Sequence, residues 1–231
     1  MTKNYTKDDS DVRLAEREWM VQKQLIGRDI TDRAVINSML TVPRHVYVKE
    51  DKQDYAYYDT ALEIEESQTI SQPYIVALMA QALNLKASDN VLEVGTGSGY
   101  SAAILSRIAA NVYTIERHEE LAHLAKERFR NQGYENIEVR VGDGTLGWAE
   151  KAPFEAILVT AGGPIIPEPL TDQLAIGGRL VIPVGDKGEQ KLIRVKKTAT
   201  SDLIEENLGL VRFVPLIGTE GWSETNPRHL Q

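Results

Sequence analysis

Three glycines at alternate positions, Gly95, Gly97 and Gly99, follow directly on the run Asn90-Val-Leu-Glu-Val94. No other stretch narrows the choice of fold as much. Residues without a Cβ let the backbone turn sharply and let a ligand approach closely. The run before them reads as a strand over 90–94. Ser101-Ala-Ala-Ile-Leu105 reads as the helix that follows, its first N–H groups directed at electron-rich ligand atoms. Because Gly97-Ser-Gly-Tyr-Ser-Ala102 also fits G-x-G-x-x-A, the loop alone implies a nucleotide-like cofactor without saying which.

The rest of the chain can be read around that unit. Residues 1–10 read as a mobile polar tail. Between 11 and 26, Val12, Ala15, Trp19 and Ile26 fall on one helical face, and Thr31 is placed to cap a second helix carrying Val35, Ile36, Met39 and Leu40. Pro43 ends it. Between Pro43 and Ser71 no period is evident, and Tyr47, Tyr55, Tyr57 and Tyr58 are interleaved with charges, as in a binding segment. Helical spacing returns over 72–83 with Ser71 as its N-cap. There follow a strand at 90–94, a helix at 99–109, a strand at 111–115, a helix at 118–131 closed by Gly133, strands at 137–141 and 154–159, a helix at 168–175 and a strand at 179–184. Strands separated by helices mean a doubly wound, mostly parallel α/β sheet with helices on both faces. Lys191 to Lys196 and Leu208 to Leu216 read as a closing pair of antiparallel strands, the first entered through the turn Gly185-Asp-Lys-Gly188.

Composition excludes several classes. A net charge of −8 argues against a nucleic-acid partner. With no cysteine there is no disulfide, thiolate ligand or cysteine nucleophile. No run approaches the ~20 apolar residues of a membrane span, and a cytoplasmic protein is expected. His118 and His123 miss the i, i+4 spacing of a metal pair, and His45 and His229 have no partner in sequence, so no metal site is expected. Trp19, Trp148 and Trp222 read as packing residues.

In an open parallel sheet the ligand lies beyond the carboxyl ends of the strands. Glu116 ends the second such strand, 21 positions after Gly95, where an acid can accept from ribose hydroxyls. Asp143, in Val141-Gly-Asp-Gly144, ends the third and is placed to meet an adenine amine. Read singly, Glu116 also fits a solvated charge, and Asp143 fits a turn Asp bonded to its own loop.

Taken together, Glu93-x-Gly95-x-Gly97-x-Gly99, the acid and Gly-Asp-Gly resemble the S-adenosylmethionine site of class I methyltransferases. Further motifs resemble one family, the protein-L-isoaspartate O-methyltransferases, over nearly the whole chain: Pro43-Arg-His-Val-Tyr-Val48, Gln68-Thr-Ile-Ser-Gln-Pro73, Ala152-Pro-Phe-Glu-Ala-Ile157, Val159-Thr-Ala161, the glycine-rich stretch Gln173 to Gly185, and Val211-Arg-Phe-Val-Pro-Leu216. The resemblance implies a Rossmann-like seven-stranded fold in one domain: a helical and substrate-loop region at 1–80, a cofactor core at 81–185 and closing strands at 186–231. S-adenosyl-L-methionine is then the cofactor, held by Glu93, Gly95, Thr96, Gly97, Ser98, Gly99, Glu116, Arg117, Asp143 and Gly144. Thr69, Ile70, Ser71, Thr160, Ala161 and Val214 bind substrate, with the Ser71 hydroxyl nearest the reacting carboxylate. The implied partners are isoaspartyl proteins and peptides, and a monomer is expected. Read without the resemblance, Ser71 fits a helix cap, a role compatible with an anion site.

This chain departs from the pattern at 62–67. Leu62-Glu-Ile-Glu-Glu-Ser67 stands where the family has Leu-Pro-Ile-Gly-x-Gly. The three carboxylates there are expected to repel an anionic substrate or to select a basic peptide. That altered segment keeps two alternatives open: methylation of another peptide carboxylate, such as an Asp side chain, and a homologue that binds the cofactor without turnover. A nicotinamide oxidoreductase accounts for less of the pattern, because it leaves Gly-Asp-Gly unexplained.

Overall fold

The computed structural model describes residues 13–224. The expected tail at 1–10, Val12 and His229 lie outside them. Nine strands are present among the described residues: β1 (Leu62–Glu63), β2 (Thr69–Ile70), β3 (Asn90–Val94), β4 (Asn111–Glu116), β5 (Ile137–Val141), β6 (Phe154–Val159), β7 (Leu174–Gly185), β8 (Gln190–Lys197) and β9 (Leu203–Val211). The first two form a small antiparallel hairpin, and the rest form one sheet in the order β5-β4-β3-β6-β7-β8-β9. Pairings from β5 through β7 are parallel, while β8 and β9 add antiparallel to the edge. The chain starts in the middle at β3, winds outward to β5 and returns to β6 beside β3. The reversal of winding therefore falls between β3 and β6, where a crevice opens at the carboxyl ends.

Alternation along the central strands splits the core in two. Val91 and Val112 join the cluster under the N-terminal helices with Met39, Met79 and Phe129, whereas Leu92 and Val94 join Ile115, Ile157 and Leu170 on the other face. Burial of both faces is what makes β3, NVLEV, read as a near-continuous apolar run. The helices are α1 (Leu14–Trp19), α2 (Arg33–Thr41), α3 (Pro73–Leu83), α4 (Tyr100–Ser106), α5 (Glu119–Asn131) and α6 (Glu168–Asp172). Among the described residues, no helix is long and apolar enough to cross a membrane.

Four expectations are corrected. The first helix turns into a π-helical stretch at Met20–Leu25, which breaks the 3.6-residue period. It buries Arg17, Met20, Val21 and Leu25, leaving Ala15 and Trp19 exposed, so Trp19 is not a packing residue. The cap of α2 is Asp32, one residue past Thr31, accepting from Ala34 and Val35 N–H. Helix α6 stops at Asp172, and β7 begins earlier than 179, passing a bend where Gly177 has φ +77°. Finally, β9 spans Leu203–Val211 rather than 208–216, because β8 and β9 register from Gln190↔Val211 to Lys197↔Leu203. The residues after Val211 are thereby free to leave the edge and cross to the crevice.

Between α2 and β1 the backbone is mostly 3₁₀ turns, pinned by a buried cation. Arg44 Nε donates to the Ala56 carbonyl at 2.8 Å, and the guanidinium lies 4.9 Å from the Tyr100 ring centroid. Burial lowers this guanidinium to about 10, so it stays charged at neutral pH. Tyr100 begins α4, so the Pro43-Arg-His motif fixes the N-terminal cap to the helix that leaves the glycine loop.

Candidate active site

A cavity of about 280 Å³ opens at the carboxyl ends of β3, β4 and β6. Its floor is the glycine loop. Gly95 has φ +95°, and a Cβ there would collide with the Thr160 hydroxyl; Gly99 has φ +91°, and a Cβ there would lie 2.7 Å from the Phe129 ring. These two are glycines for conformation and packing. Gly97 faces the cavity instead, its nearest neighbour being Ile64 Cδ1 at 3.6 Å. Thr160 Oγ1 donates to the Gly95 carbonyl at 2.7 Å, locking the end of β6 to the loop.

Of the residues expected at the site, Thr69, Ile70, Ser71, Gly95, Thr96, Gly97, Ser98, Glu116, Arg117, Gly144, Thr160, Ala161 and Val214 line this one cavity. Glu93, Gly99 and Asp143 stand behind it. Glu116 is nearly buried, its Oε2 accepting from Gly97 N–H at 2.8 Å and its Oε1 from His118 N–H at 3.0 Å. The carboxylate is thus fixed by the loop it serves, with lone pairs still available at the cavity wall.

Glu93 lies beneath the floor and is fully buried. Its Oε2 accepts from Thr114 Oγ1 at 2.6 Å, and Thr114 meets Thr96 Oγ1 at 2.6 Å, so a hydroxyl chain runs from the carboxyl up to the loop. Oε1 has no hydrogen-bond partner among the described residues. Burial pushes this carboxyl up to about 8, opposed by the Thr114 and Ser101 hydroxyls and reinforced by the Glu116 charge. It is therefore neutral at pH 7.

Asp143 is committed to structure. Its Oδ1 accepts from Thr145 N–H and Oγ1 at 2.9 and 2.6 Å, and its Oδ2 from Thr219 N–H at 2.7 Å. Partial burial raises its pKa, but the Thr145 and Thr219 hydrogen bonds outweigh that and leave it lowered. It is the turn Asp of one reading, tying the Gly144 wall to the C-terminal segment.

That segment completes the crevice. Gly162 N–H donates to the Val214 carbonyl at 2.8 Å, and Leu216 N–H donates to the Gly162 carbonyl at 2.8 Å. The stretch 214–217 is thereby held beside the end of β6.

Ser71 is not the cap of α3. Pro73 occupies the first helical position, which makes Gln72 the N-cap. The N–H of Tyr74, without a partner inside the helix, is satisfied by Asp59 Oδ1 at 3.0 Å, and Asp59 is itself held by Arg28 at 2.5 Å. Relieved of capping, the Ser71 hydroxyl makes no hydrogen bond among the described residues. It lies on the boundary between the cavity and a second groove bordered by Arg28, Tyr74, Leu210 and Arg212.

Residues not singled out from sequence also line the cavity: Met79, Tyr100, Ile115, Leu216 and His118. Met79 read as the apolar face of a helix, Tyr100 as part of the glycine motif, Ile115 as a strand end and Leu216 as part of a closing strand. His118 carried a signal, standing two positions after the acid at the end of β4.

Backbone N–H groups, a fixed carboxylate and an apolar wall in one crevice are the donor set for an adenosyl group bearing an amino-acid chain, and the residues present fit S-adenosylmethionine. The sequence profile of the protein-L-isoaspartate(D-aspartate) O-methyltransferase family matches residues 15–221. The chain is 56% identical to protein-L-isoaspartate O-methyltransferase 2 of Pelobacter propionicus over 207 residues, 89% of this chain and 92% of that one. It is 56% identical to the protein-L-isoaspartate O-methyltransferase of Pelotomaculum thermopropionicum over 216 residues, 94% of each. Among solved structures, a protein-L-isoaspartate O-methyltransferase superposes with a TM-score of 0.80 at 30% identity, covering 90% of this chain and 67% of that one. A Plasmodium falciparum homologue in complex with S-adenosyl-L-homocysteine gives 0.75 at 27% identity, covering 87% and 98%. Fold, cavity and sequence agree, and the chain belongs to the protein-L-isoaspartate(D-aspartate) O-methyltransferase family.

Proposed function

We propose that the protein transfers a methyl group from S-adenosyl-L-methionine to the α-carboxyl of L-isoaspartyl residues in damaged proteins, acting in the cytoplasm as a single-domain repair enzyme. The observation that carries this reading is the Ser71 hydroxyl, without a hydrogen-bond partner among the described residues and set between the glycine-rich cavity and an open groove. The cofactor, when bound, supplies an electrophilic methyl on a sulfonium. A carboxylate with a reference pKa of about 4 is ionised at pH 7 and needs no base to attack it. What the chain must supply is alignment, collecting the effective molarity of a near-attack pose.

In this reading Ser71 and Thr69 orient the carboxylate, Thr160 and Ala161 wall its approach, and Val214 meets the substrate's main chain. Gly95 to Gly99 with Glu116, Arg117 and Gly144 hold the cofactor, while Glu93 supports the loop from below and Asp143 from behind. The methyl ester formed is a better electrophile than the carboxylate: the neighbouring backbone amide nitrogen attacks its carbonyl, the C–OCH3 bond breaks, and a succinimide closes with loss of methanol. Hydrolysis of the ring returns part of the population to normal aspartyl.

Labelled methyl transfer to isoaspartyl and aspartyl versions of one peptide tests the proposal. Strong preference for the isoaspartyl form is expected, and equal or reversed activity overturns it. Two of the three glutamates at 63–66 sit beside cations, Glu63 at Lys49 and Glu65 at Arg128, and Glu66 lies 3.5 Å from His118 Nδ1, an arrangement that speaks against these carboxylates repelling the substrate.

A further inference from the structure

The cavity is walled on its outer side by the turn of the β1–β2 hairpin, from which Ser67, Gln68, Thr69 and Ile70 face it. The turn is tight: Glu66 and Ser67 both adopt left-handed backbone, φ +56° and +54°, a region that residues other than glycine rarely occupy. Its internal hydrogen bonds are few: Ile64 N–H to the Gln68 carbonyl at 2.8 Å, Gln68 N–H to the Glu65 carbonyl at 3.1 Å, and Gln68 Nε2 to the Glu66 carbonyl at 3.0 Å. Among the described residues, no backbone hydrogen bond joins the turn to α5 or to the glycine loop.

Charges do join them. Glu65 Oε2 lies 3.9 Å from Arg128 Nη2, and Arg128 Nη1 donates to the Ser98 carbonyl at 3.2 Å. One guanidinium thus ties α5, the glycine loop and the hairpin together. Glu66 Oε2 lies 3.5 Å from His118 Nδ1, a charged pair when the imidazole is protonated. His118 belongs to the cavity wall, and its backbone N–H is one of the two that hold Glu116. The side chains of Glu65 and Arg128 are 26% and 17% exposed, so salt screens this pair less than an open surface pair, though it still screens it.

Resting on the methyltransferase reading above, we propose that Glu65 and Glu66 are positioning residues for the cofactor. They latch the hairpin across the cavity through Arg128 and His118, so that side-chain contacts, the Glu65–Arg128 ion pair first among them, rather than backbone bonds set how long a bound adenosyl ligand stays. The same hairpin carries Thr69, with Ser71 just beyond its second strand, so the latch also registers the substrate-facing hydroxyls over the glycine loop.

The test is the release of radiolabelled S-adenosylhomocysteine, chased with excess unlabelled ligand. For the wild type, release is expected to quicken as NaCl rises from about 0.05 to about 0.5 M. The double variant Glu65→Gln/Glu66→Gln is expected to release ~3–10-fold faster at low salt, through loss of the partly shielded Glu65–Arg128 pair together with the Glu66–His118 contact, and to lose most of the salt dependence. Glu63→Gln, whose carboxylate pairs with Lys49 at 3.5 Å and does not line the cavity, is expected to behave as wild type. Wild-type release insensitive to salt overturns the latch, as does a folded double variant that releases at the wild-type rate, or a Glu63→Gln variant that is equally fast. If the double variant does not fold, the wild-type salt series decides alone. A wild type that binds no S-adenosylhomocysteine sinks the functional reading, and the latch with it, a result distinct from tight binding without salt dependence.

Discussion

At the scale of single residues, the site divides into side chains spent on the protein and side chains left for ligands. Ser71 is left over, because Pro73 and Asp59 together satisfy the start of α3. Ser71→Ala is therefore expected to lower turnover ~10–100-fold, the loss of a hydrogen bond to a charged group, with cofactor affinity little changed. Asp143→Ala should do the reverse, loosening Gly144 and weakening the cofactor while sparing the chemical step. Methyl-transfer kinetics beside calorimetry of S-adenosylhomocysteine separate the two, and interchanged phenotypes would mean the roles are misassigned. Glu93 makes a prediction in pH. Burial raises its carboxyl from the ordinary 4.5 to about 8, so the folded state holds a proton that the unfolded chain releases. Stability from this group is full below the unfolded value and is lost as pH rises through about 8. Glu93→Gln keeps the shape and the neutrality, and should flatten that fall in a plot of Tm against pH. A wild-type Tm that does not decline from pH 6 to 9 more steeply than the variant's would refute a neutral Glu93.

Among the elements, the informative case is α3. Its apolar spacing and its bounds were legible in the sequence, yet its cap was not, because Asp59 comes from a segment without period and reaches Tyr74 N–H only in the folded chain. Asp59→Ala should cost about 1 kcal/mol, as other cap removals do, or about 2–4 °C in Tm for a chain of this size. Since Ser71 stands two residues before Pro73, turnover should fall as well; unchanged Tm and turnover would show that Asp59 does not hold the helix start. The same limit explains α1 and β9. A π-helical stretch changes the residues per turn without any marker in composition, so the face assigned to Ala15 and Trp19 was the wrong one. The exposed, edge-forming β9 shows no alternation that could have fixed its register.

For the whole molecule, the winding of the sheet is what assembles residues distant in sequence. Reversal between β3 and β6 brings Gly95, Glu116 and Thr160 to one crevice, and the departure of the chain from β9 brings Val214 to meet them. A ligand held by all of these stabilises the native state by mass action. S-adenosylhomocysteine at 100 times its Kd should add about 2.7 kcal/mol, a rise of roughly 5–10 °C in Tm, whereas NADH should give none; a shift with NADH alone would return the glycine loop to the dinucleotide reading. The sequence by itself determined the parallel sheet, the glycine turn and the set of strand ends that meet the ligand, because periodicity and the lack of a Cβ act over a few neighbouring residues. Only the tertiary structure decided which polar groups were free. That Asp143 is also held by Thr219, that Ser71 has no such partner among the described residues, and that Glu65 of the hairpin is paired with Arg128 of α5 are matters of long-range contact, and no local pattern encodes them.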